Sequence, residues 1–143
     1  MFKTILVTID LNHEESWNHA LPMAVDMARQ SGGALHAIVV VPDFGESMVS
    51  SYFPKDFRED MLVKTKSDLT KLLEEKVPSD VAATPHVSAG KVHEKILEAI
   101  ESTGADLVVM ASHAPDRIRE FLVGSQADRV VRRSPVSVLV ARA

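Results

Sequence analysis

The feature that most constrains the fold of this chain is the stretch of residues 107–139. It opens at residues 107–110 with Leu-Val-Val-Met, an apolar run without alternation that is typical of a parallel strand covered on both faces. A polar loop follows, and because Pro115 keeps the residue before it extended, no helix is expected to begin there. A short helix is predicted to begin at Gly124-Ser125, and residues 136–141 form a second apolar strand. This order indicates a parallel βαβ unit.

The same alternation of strands and helices runs through the rest of the chain. Further strands are predicted at residues 2–9, 34–41 and 81–89, with a helix after each. Parallel strands joined by helices form right-handed units, which place helices on both faces of one sheet. Pro85 cannot donate to a ladder, so the third strand is expected at a sheet edge. We therefore predict one α/β domain, residues 1–143, with an open parallel five-stranded sheet.

The first predicted helix has the clearest apolar face. Its apolar residues recur at i, i+3 and i+4 from Trp17 to Ala28. Asn12 is the expected amino-terminal cap, and Ser31-Gly32-Gly33 is the expected end. Because Pro22 lies inside this pattern and lacks an N–H, we expect it to kink the helix.

Two further helices are defined by apolar spacing and by capping residues. In the last helix, Ser125 and Asp128 have the spacing of a capping box. The second helix, residues 54–76, is charged on one side. The residues expected to form its buried face are Phe57, Met61, Leu62, Leu69, Leu72 and Leu73.

Composition restricts the classes of function. The chain has 143 residues, of which 45% are hydrophobic and 25% charged, as in a soluble domain with its own core. A net charge of −4 argues against nucleic-acid binding, which needs a basic surface. There is no cysteine, and the histidines show no metal-ligand spacing, so neither a disulfide nor a metal site is expected. We find no membrane-spanning run and no signal peptide, and therefore expect a cytoplasmic protein.

Gly124 and Ser125 are the first candidates for a binding site. The amino terminus of a helix leaves backbone N–H groups unpaired and carries partial positive charge. Gly124 has no side chain to obstruct a phosphate and Ser125 adds a hydroxyl donor, so this pair suits an anion. The alternative is that the two residues only cap the helix.

Further candidates lie at the ends of two strands. Ligands of open parallel sheets bind outside the carboxyl ends of the strands, where the strand order reverses. If the strand order is 3-2-1-4-5, the reversal falls between strands 1 and 4, which end at Asp10 and at Ser112-His113. Asp10 would accept a hydrogen bond from a ligand, or else cap its own loop. His113 would contact a ligand or act as a base, or else be solvated. Arg117 and Arg119 would reach phosphates, or else remain surface charges.

The residues at these positions resemble the universal stress protein family from one end of the chain to the other. Residues 3–10, KTILVTID, are similar to the family's first strand with its terminal aspartate. Gly90 and the helix after it match the third crossover, and residues 134–140, SPVSVLV, resemble the last strand. The family's nucleotide motif is Gly, two residues, Gly, nine residues, then Gly-Ser or Gly-Thr. Here the spacing is kept from Ala111 through Ala114 to Gly124-Ser125, in an Ala-Ser-His-x-Pro-Asp form that resembles one branch of small bacterial members.

The resemblance implies a Rossmann-like fold with strand order 3-2-1-4-5. It also implies an adenine nucleotide, ATP with Mg²⁺ on its phosphates, in the crevice between strands 1 and 4. The residues that it assigns are Thr8, Ile9, Asp10 and Val41 to the adenine, Met110 and Ala111 to the ribose, Ser112, His113 and Ala114 to the path toward the phosphates, and Gly124, Ser125 and Gln126 to the phosphates. No catalytic residue and no metal ligand are assigned.

The chain departs from the family's motif because both leading glycines are alanines. A methyl group at Ala111 narrows the approach of the backbone to the ribose. Ala114 cannot adopt positive φ cheaply, and Pro115 restricts it further. The loop must therefore differ from the glycine form.

Three functions are consistent with the sequence. The first is a nucleotide-binding regulatory module in stress response, without turnover of its own. The second is a slow ATPase or phosphotransferase, assisted by His113 or Asp10 with Mg²⁺ on the phosphates. The third is a nucleotide-free dimeric interaction protein. Residues 136–141 form a short, apolar sheet edge, which predicts a homodimer through that edge, as family members commonly form.

Overall fold

The fold is built on one sheet of five parallel strands. The computed structural model describes residues 1–42, 55–112 and 125–142. The strands pair in the order β3-β2-β1-β4-β5, and every pairing is parallel. Their bounds are Thr4–Thr8 for β1, Ala34–Pro42 for β2, Ala83–Gly90 for β3, Leu107–Ala111 for β4 and Ser137–Ala141 for β5. The predicted strand order is confirmed, and so is the edge position of the strand that contains Pro85.

Helices cover both faces of the sheet. Those described are α1 (Ala20–Ser31), α2 (Lys55–Lys76), α3 (Val92–Thr103) and α4 (Ser125–Arg133), with a 3-10 turn at Glu14–Ser16 before α1. Helices α1 and α2 pack on one face, and α3 and α4 pack on the other. The predicted α/β architecture is confirmed.

Each face of the sheet has its own apolar core. Every residue of β4 is buried, because β4 and β1 lie in the middle of the sheet with helices on both sides. This position explains the apolar run without alternation. In β1, Ile5 and Val7 enter the core beneath α1 and α2, whereas Leu6 enters the core beneath α3 and α4. Full burial of such a side chain contributes about 1.5–3 kcal/mol, so the central strands contribute much of the stability of both cores.

Pro22 lies at the start of α1 and not in its interior, contrary to the prediction that it kinks a longer helix. The helix begins at Ala20, so Pro22 lies in the first turn, where a backbone N–H has no partner within the helix in any case. The residues before it form the separate turn Glu14–Ser16. The caps of the turn and of α1 are His13 and His19, so the prediction that Asn12 caps a helix is also wrong.

The turn between α1 and β2 depends on two glycines. Gly32 adopts the left-handed conformation, with φ of 65°. The N–H groups of Gly32 and Gly33 donate to the carbonyls of Arg29 and Ala28, at 3.3 and 2.9 Å, and close the helix. A Cβ at Gly33 would lie 2.5 Å from the backbone oxygen of Lys3, so this position admits no larger residue without a backbone shift. The predicted end of the first helix is confirmed.

The predicted buried face of α2 is correct only in part. Leu69 and Leu73 are buried in the core, whereas Phe57 is 47% exposed. Phe57 has the sequence spacing of the apolar face, but it lies near the amino terminus of α2, before the buried part of that face. Among the described residues, no helix is both long enough and apolar enough to cross a membrane.

Candidate functional site

A cavity of about 620 Å³ opens at the carboxyl ends of the strands. It is bordered by the ends of β1, β2 and β4, and by the first residues of α3 and α4. The strand order reverses between β1 and β4, so the cavity lies where open parallel sheets ordinarily bind ligands. Its volume is within the range of about 300–1,000 Å³ that small-molecule sites occupy.

The structure brings most of the described candidate residues together around this cavity. Those that line it are Thr8, Ile9, Asp10, Val41, Met110, Ala111, Ser125 and Gln126. Ser112 follows β4, and its N–H donates to the carbonyl of Ala141 at 3.0 Å, which ties it to β5. His113, Ala114 and Gly124 lie outside the described residues, as do Arg117 and Arg119.

The lining of the cavity divides into two walls, which belong to opposite faces of the sheet. The loop wall belongs to the face that carries α1 and α2, and consists of Leu11, Asn12, His13, Ser16, Met61 and Thr65. The helix wall belongs to the face that carries α3 and α4, and consists of Val92, Ile96, Ser125, Gln126 and Ala127. The strand ends lie between the two walls.

The helix wall is formed by the amino termini of two helices. Val92 is the first residue of α3 and Ser125 is the first residue of α4, and both line the cavity. The free N–H groups of a first turn, together with the helix dipole, favour an anion at such a position. Asp128, predicted to cap α4, instead places its carboxylate oxygens 3.0 and 3.2 Å from Nε of Arg132, one turn further along the helix.

Gln126 links the two helix starts. Its side-chain oxygen accepts a hydrogen bond from the backbone N–H of His93, at 3.2 Å, and so occupies one donor of the first turn of α3. With the oxygen held in this way, the amide nitrogen of Gln126 carries two N–H donors that suit an anionic ligand. Gln126 therefore combines a structural role with a position in the cavity wall.

The turn that follows β1, which forms most of the loop wall, is held together by hydrogen bonds to Asp10. Its carboxylate accepts the backbone N–H of Asn12 at Oδ1 (3.0 Å) and lies 2.9 Å from Nδ1 of His13 at Oδ2. The buried hydroxyl of Ser16 accepts the N–H of Asp10 and donates to its carbonyl, at 2.8 and 2.9 Å. Of the two roles proposed for Asp10, the structure shows the loop-capping one. Because a carboxylate has about four lone-pair sites, Asp10 also retains capacity for a ligand.

Several residues of the cavity were not found from the sequence. His13 was considered only for metal-ligand spacing, although its position three residues after Asp10 suits a side-chain pair across a turn. Met61 and Thr65 were predicted as helix residues, and their place in the wall depends on how α2 packs. His93 is buried behind the helix wall, and among the described residues its Nδ1 has no hydrogen-bond partner. No local pattern indicates that environment.

The described part of the chain contains no group of three or more His, Cys, Asp or Glu side chains that could hold a metal ion. Asp10 and His13 form a pair without a third such group beside them.

Together these features define a class of protein: an open parallel α/β fold with a cavity at the reversal of strand order and helix amino termini on one side of it. The model of the universal stress protein family matches residues 1–142. The chain belongs to that family.

Several relatives are similar to this chain over nearly its whole length. Universal stress protein G of Escherichia coli O157:H7 is 31% identical over 146 residues, which covers 99% of this chain and 100% of that protein. The solved structure of a universal stress protein from Lactobacillus plantarum has a TM-score of 0.77 at 20% identity and covers 98% of this chain and 97% of its own. A universal stress protein from Archaeoglobus fulgidus, solved in complex with dAMP, has a TM-score of 0.60 at 18% identity, with 97% of each chain covered. At these identities, the two solved structures show the shared fold.

Proposed function

We propose that this protein is a cytoplasmic regulatory module of the stress response that binds an adenine nucleotide, ATP with Mg²⁺ on its phosphates, in the cavity. The observation that carries the proposal is the helix wall, where the first residues of α3 and α4 meet at the reversal of strand order. A triphosphate satisfies free N–H donors at helix amino termini. Membership of the family and the dAMP bound to the Archaeoglobus fulgidus protein support the same ligand class.

The middle of the cavity suits the apolar body of a nucleotide. Ile9, Val41 and Met110 line it between the two walls. Ile9 and Met110 are almost fully buried and Val41 is half-buried, so a planar base placed there would remove its own apolar faces and the exposed part of Val41 from water. The polar groups of the protein then lie at the two ends of the cavity, in the loop wall and the helix wall. A mostly apolar site with a few polar groups is usual for small molecules.

The first alanine of the altered motif is compatible with this role. Ala111 is the last residue of β4 and is buried, and no described non-glycine residue has a positive φ. An alanine in extended backbone is unstrained. The effect of the second alanine, Ala114, falls outside the described residues.

Thermal unfolding with and without ATP and Mg²⁺ tests the proposal. Ligand at about 100 times its dissociation constant stabilises a folded protein by roughly 2.7 kcal/mol, which raises the unfolding temperature by several degrees. Ser125→Glu is the informative variant. Its carboxylate repels a phosphate, whereas an acidic residue in the first turn of a helix favours folding. Ser67→Glu, at an exposed position of α2, makes the same change of charge away from the cavity.

We expect the parent and the Ser67→Glu variant to be stabilised by ATP, and the Ser125→Glu variant to lose most of that stabilisation. No shift in the parent would contradict the proposal and favour the nucleotide-free interaction protein. Equal shifts in all three proteins would place the nucleotide elsewhere.

We further propose binding without turnover. His13, which lines the cavity and is oriented by a carboxylate, lies on the loop wall, opposite the helix starts where the phosphates would bind. His13 and its partner Asp10 are therefore poorly placed to activate water at the terminal phosphate, and His113, the other residue named for that role, lies outside the described residues. A phosphate-release assay tests this: release that the parent shows and Ser125→Glu lacks would instead favour the slow ATPase or phosphotransferase.

We also propose a homodimer through the edge strand β5. Among the described residues, β5 pairs with β4 alone, so within this part of the chain its outer edge offers unpaired backbone groups. Val140 of β5 is half-buried. We expect light scattering to give a dimeric mass for the parent and a monomeric mass for Val140→Lys. The control is Val131→Lys, at an exposed position of α4, which should remain dimeric. A monomeric parent would contradict this proposal.

A further inference from the structure

The turn after β1 holds one imidazole in a defined orientation. Nδ1 of His13 lies 2.9 Å from Oδ2 of Asp10, and the N–H of His13 donates to the carbonyl of Asp10 at 3.1 Å. The hydroxyl of Ser16, a residue that is 2% exposed, donates a hydrogen bond to the same carbonyl of Asp10. Both the ring and the backbone of His13 therefore contact Asp10, in a side-chain pair whose members are 58% and 49% exposed.

This contact determines which nitrogen of His13 carries the proton. An ionised carboxylate only accepts hydrogen bonds, so the contact at Oδ2 of Asp10 requires a proton on Nδ1. In the neutral ring the other nitrogen, Nε2, then has no proton and is an acceptor. Because Nδ1 faces Asp10, Nε2 is on the far side of the ring, and His13 lines the cavity. The turn after β1 therefore carries acceptor atoms on both His13 and Asp10, two residues that line the cavity.

The two walls impose an orientation on an elongated ligand that is anionic at one end. Its anionic end is drawn to the helix wall, where α3 and α4 begin. Its other end then reaches the loop wall, where Leu11 and Met61 provide apolar contacts beside His13. A nucleotide base at the loop wall would lie near Nε2 of His13, which accepts a hydrogen bond. A base that carries an N–H group can donate that hydrogen bond.

We infer that His13, held by Asp10, is a specificity-determining residue that accepts a hydrogen bond at Nε2 from the exocyclic amino group of a 6-aminopurine. This inference rests on the proposed function, because it assumes that a nucleotide occupies the cavity. His13 lies outside the glycine motif, and the turn that carries it borders the same cavity as the apolar side chains of Leu11 and Met61.

The test compares ATP with purine riboside triphosphate, which has hydrogen in place of the 6-amino group. Dissociation constants are measured by calorimetry near pH 8, where imidazole side chains are ordinarily neutral. One hydrogen bond of about 0.5–1.5 kcal/mol corresponds to roughly a threefold to tenfold preference for ATP. The variants are His13→Leu, which removes the acceptor, and His19→Leu, which makes the same change at an exposed position that does not line the cavity.

We expect the parent and His19→Leu to prefer ATP roughly threefold to tenfold, and His13→Leu to bind the two nucleotides about equally. His13→Gln, whose side-chain oxygen can accept the same hydrogen bond, should restore part of the preference. An unchanged preference in His13→Leu, equal weakening of both ligands or no preference in the parent would overturn the inference while leaving the proposed function intact. Failure of the parent to bind either nucleotide would instead overturn the proposed function.

Discussion

At the scale of single residues, we expect a pair of histidines on neighbouring strands, away from the cavity, to affect how stability depends on pH. Nδ1 of His36, on β2, lies 2.8 Å from Nε2 of His86, on β3. Burial lowers the pKa of His36. Burial also lowers the pKa of His86, and the charges of His36 and Lys66 lower it further. Both rings are therefore harder to protonate in the folded protein than in the unfolded chain.

The sign of the resulting pH dependence follows from proton linkage. When the pKa of a group is lower in the folded state, the unfolded chain binds more protons, so stability falls as the pH falls. The contribution is complete above the ordinary pKa of 6.5 and is lost as the pH falls through the lower folded values. We expect urea unfolding from about pH 8 to about pH 5 to show this loss in the parent.

The matched variants isolate the pair. His36→Gln combined with His86→Gln should have a smaller loss of stability over the same range, because no imidazole is then buried there. His19→Gln, at an exposed position, should behave like the parent. Equal pH dependence in the parent and the double variant would show that the pair does not control acid stability.

At the scale of single elements, the position of Pro22 in α1 gives a sharp prediction. Pro22→Ala should change the free energy of unfolding by less than about 1 kcal/mol, because the first turn tolerates proline. Asp26→Pro, at an exposed position in the interior of the same helix, should lower it by about 3 kcal/mol, because it removes a hydrogen bond and clashes with the preceding turn. Chemical denaturation of both variants measures the contrast, and equal effects would place the start of α1 elsewhere.

The same helix shows what could be predicted from sequence and what could not. Apolar spacing from Trp17 to Ala28 correctly identified a helix and its buried side, because burial alone produces that spacing. The predicted start of this helix was wrong. The apolar pattern does not distinguish one long helix from a 3-10 turn followed by a shorter helix, which is what the structure has. The end was right because Gly32 takes a conformation that few other residues tolerate.

The strands were easier to predict than the helix boundaries. The continuous apolar run of residues 107–110 identified β4 as a strand covered on both faces, because helices on both sides bury every side chain. Pro85 identified β3 as an edge strand, because proline cannot donate to a second ladder. The strand order itself came from the resemblance to a family. Spacing along the chain predicts parallel pairing, and it does not distinguish between alternative orders of five strands.

At the scale of the whole molecule, the two cores determine where a ligand can enter. Helices α1 and α2 close one face and α3 and α4 close the other, and the carboxyl ends of the strands remain between them. A general rule for open parallel sheets therefore predicted the place of the cavity. It could not predict that His13 and Met61 form part of the wall, because those positions depend on a turn and on the packing of α2.

The central claim is that an adenine nucleotide occupies the cavity between the loop wall and the helix wall, and amide NMR tests it most directly. We predict that adding ATP and Mg²⁺ to the isotopically labelled protein shifts the backbone N–H signals of Asp10, Ala111 and Gln126. The three signals should shift over the same range of ATP concentration. Signals from the opposite side of the fold, such as Lys71 on α2 and Ser102 on α3, should remain in place. Unchanged spectra, or shifts confined to residues away from the cavity, would contradict the account.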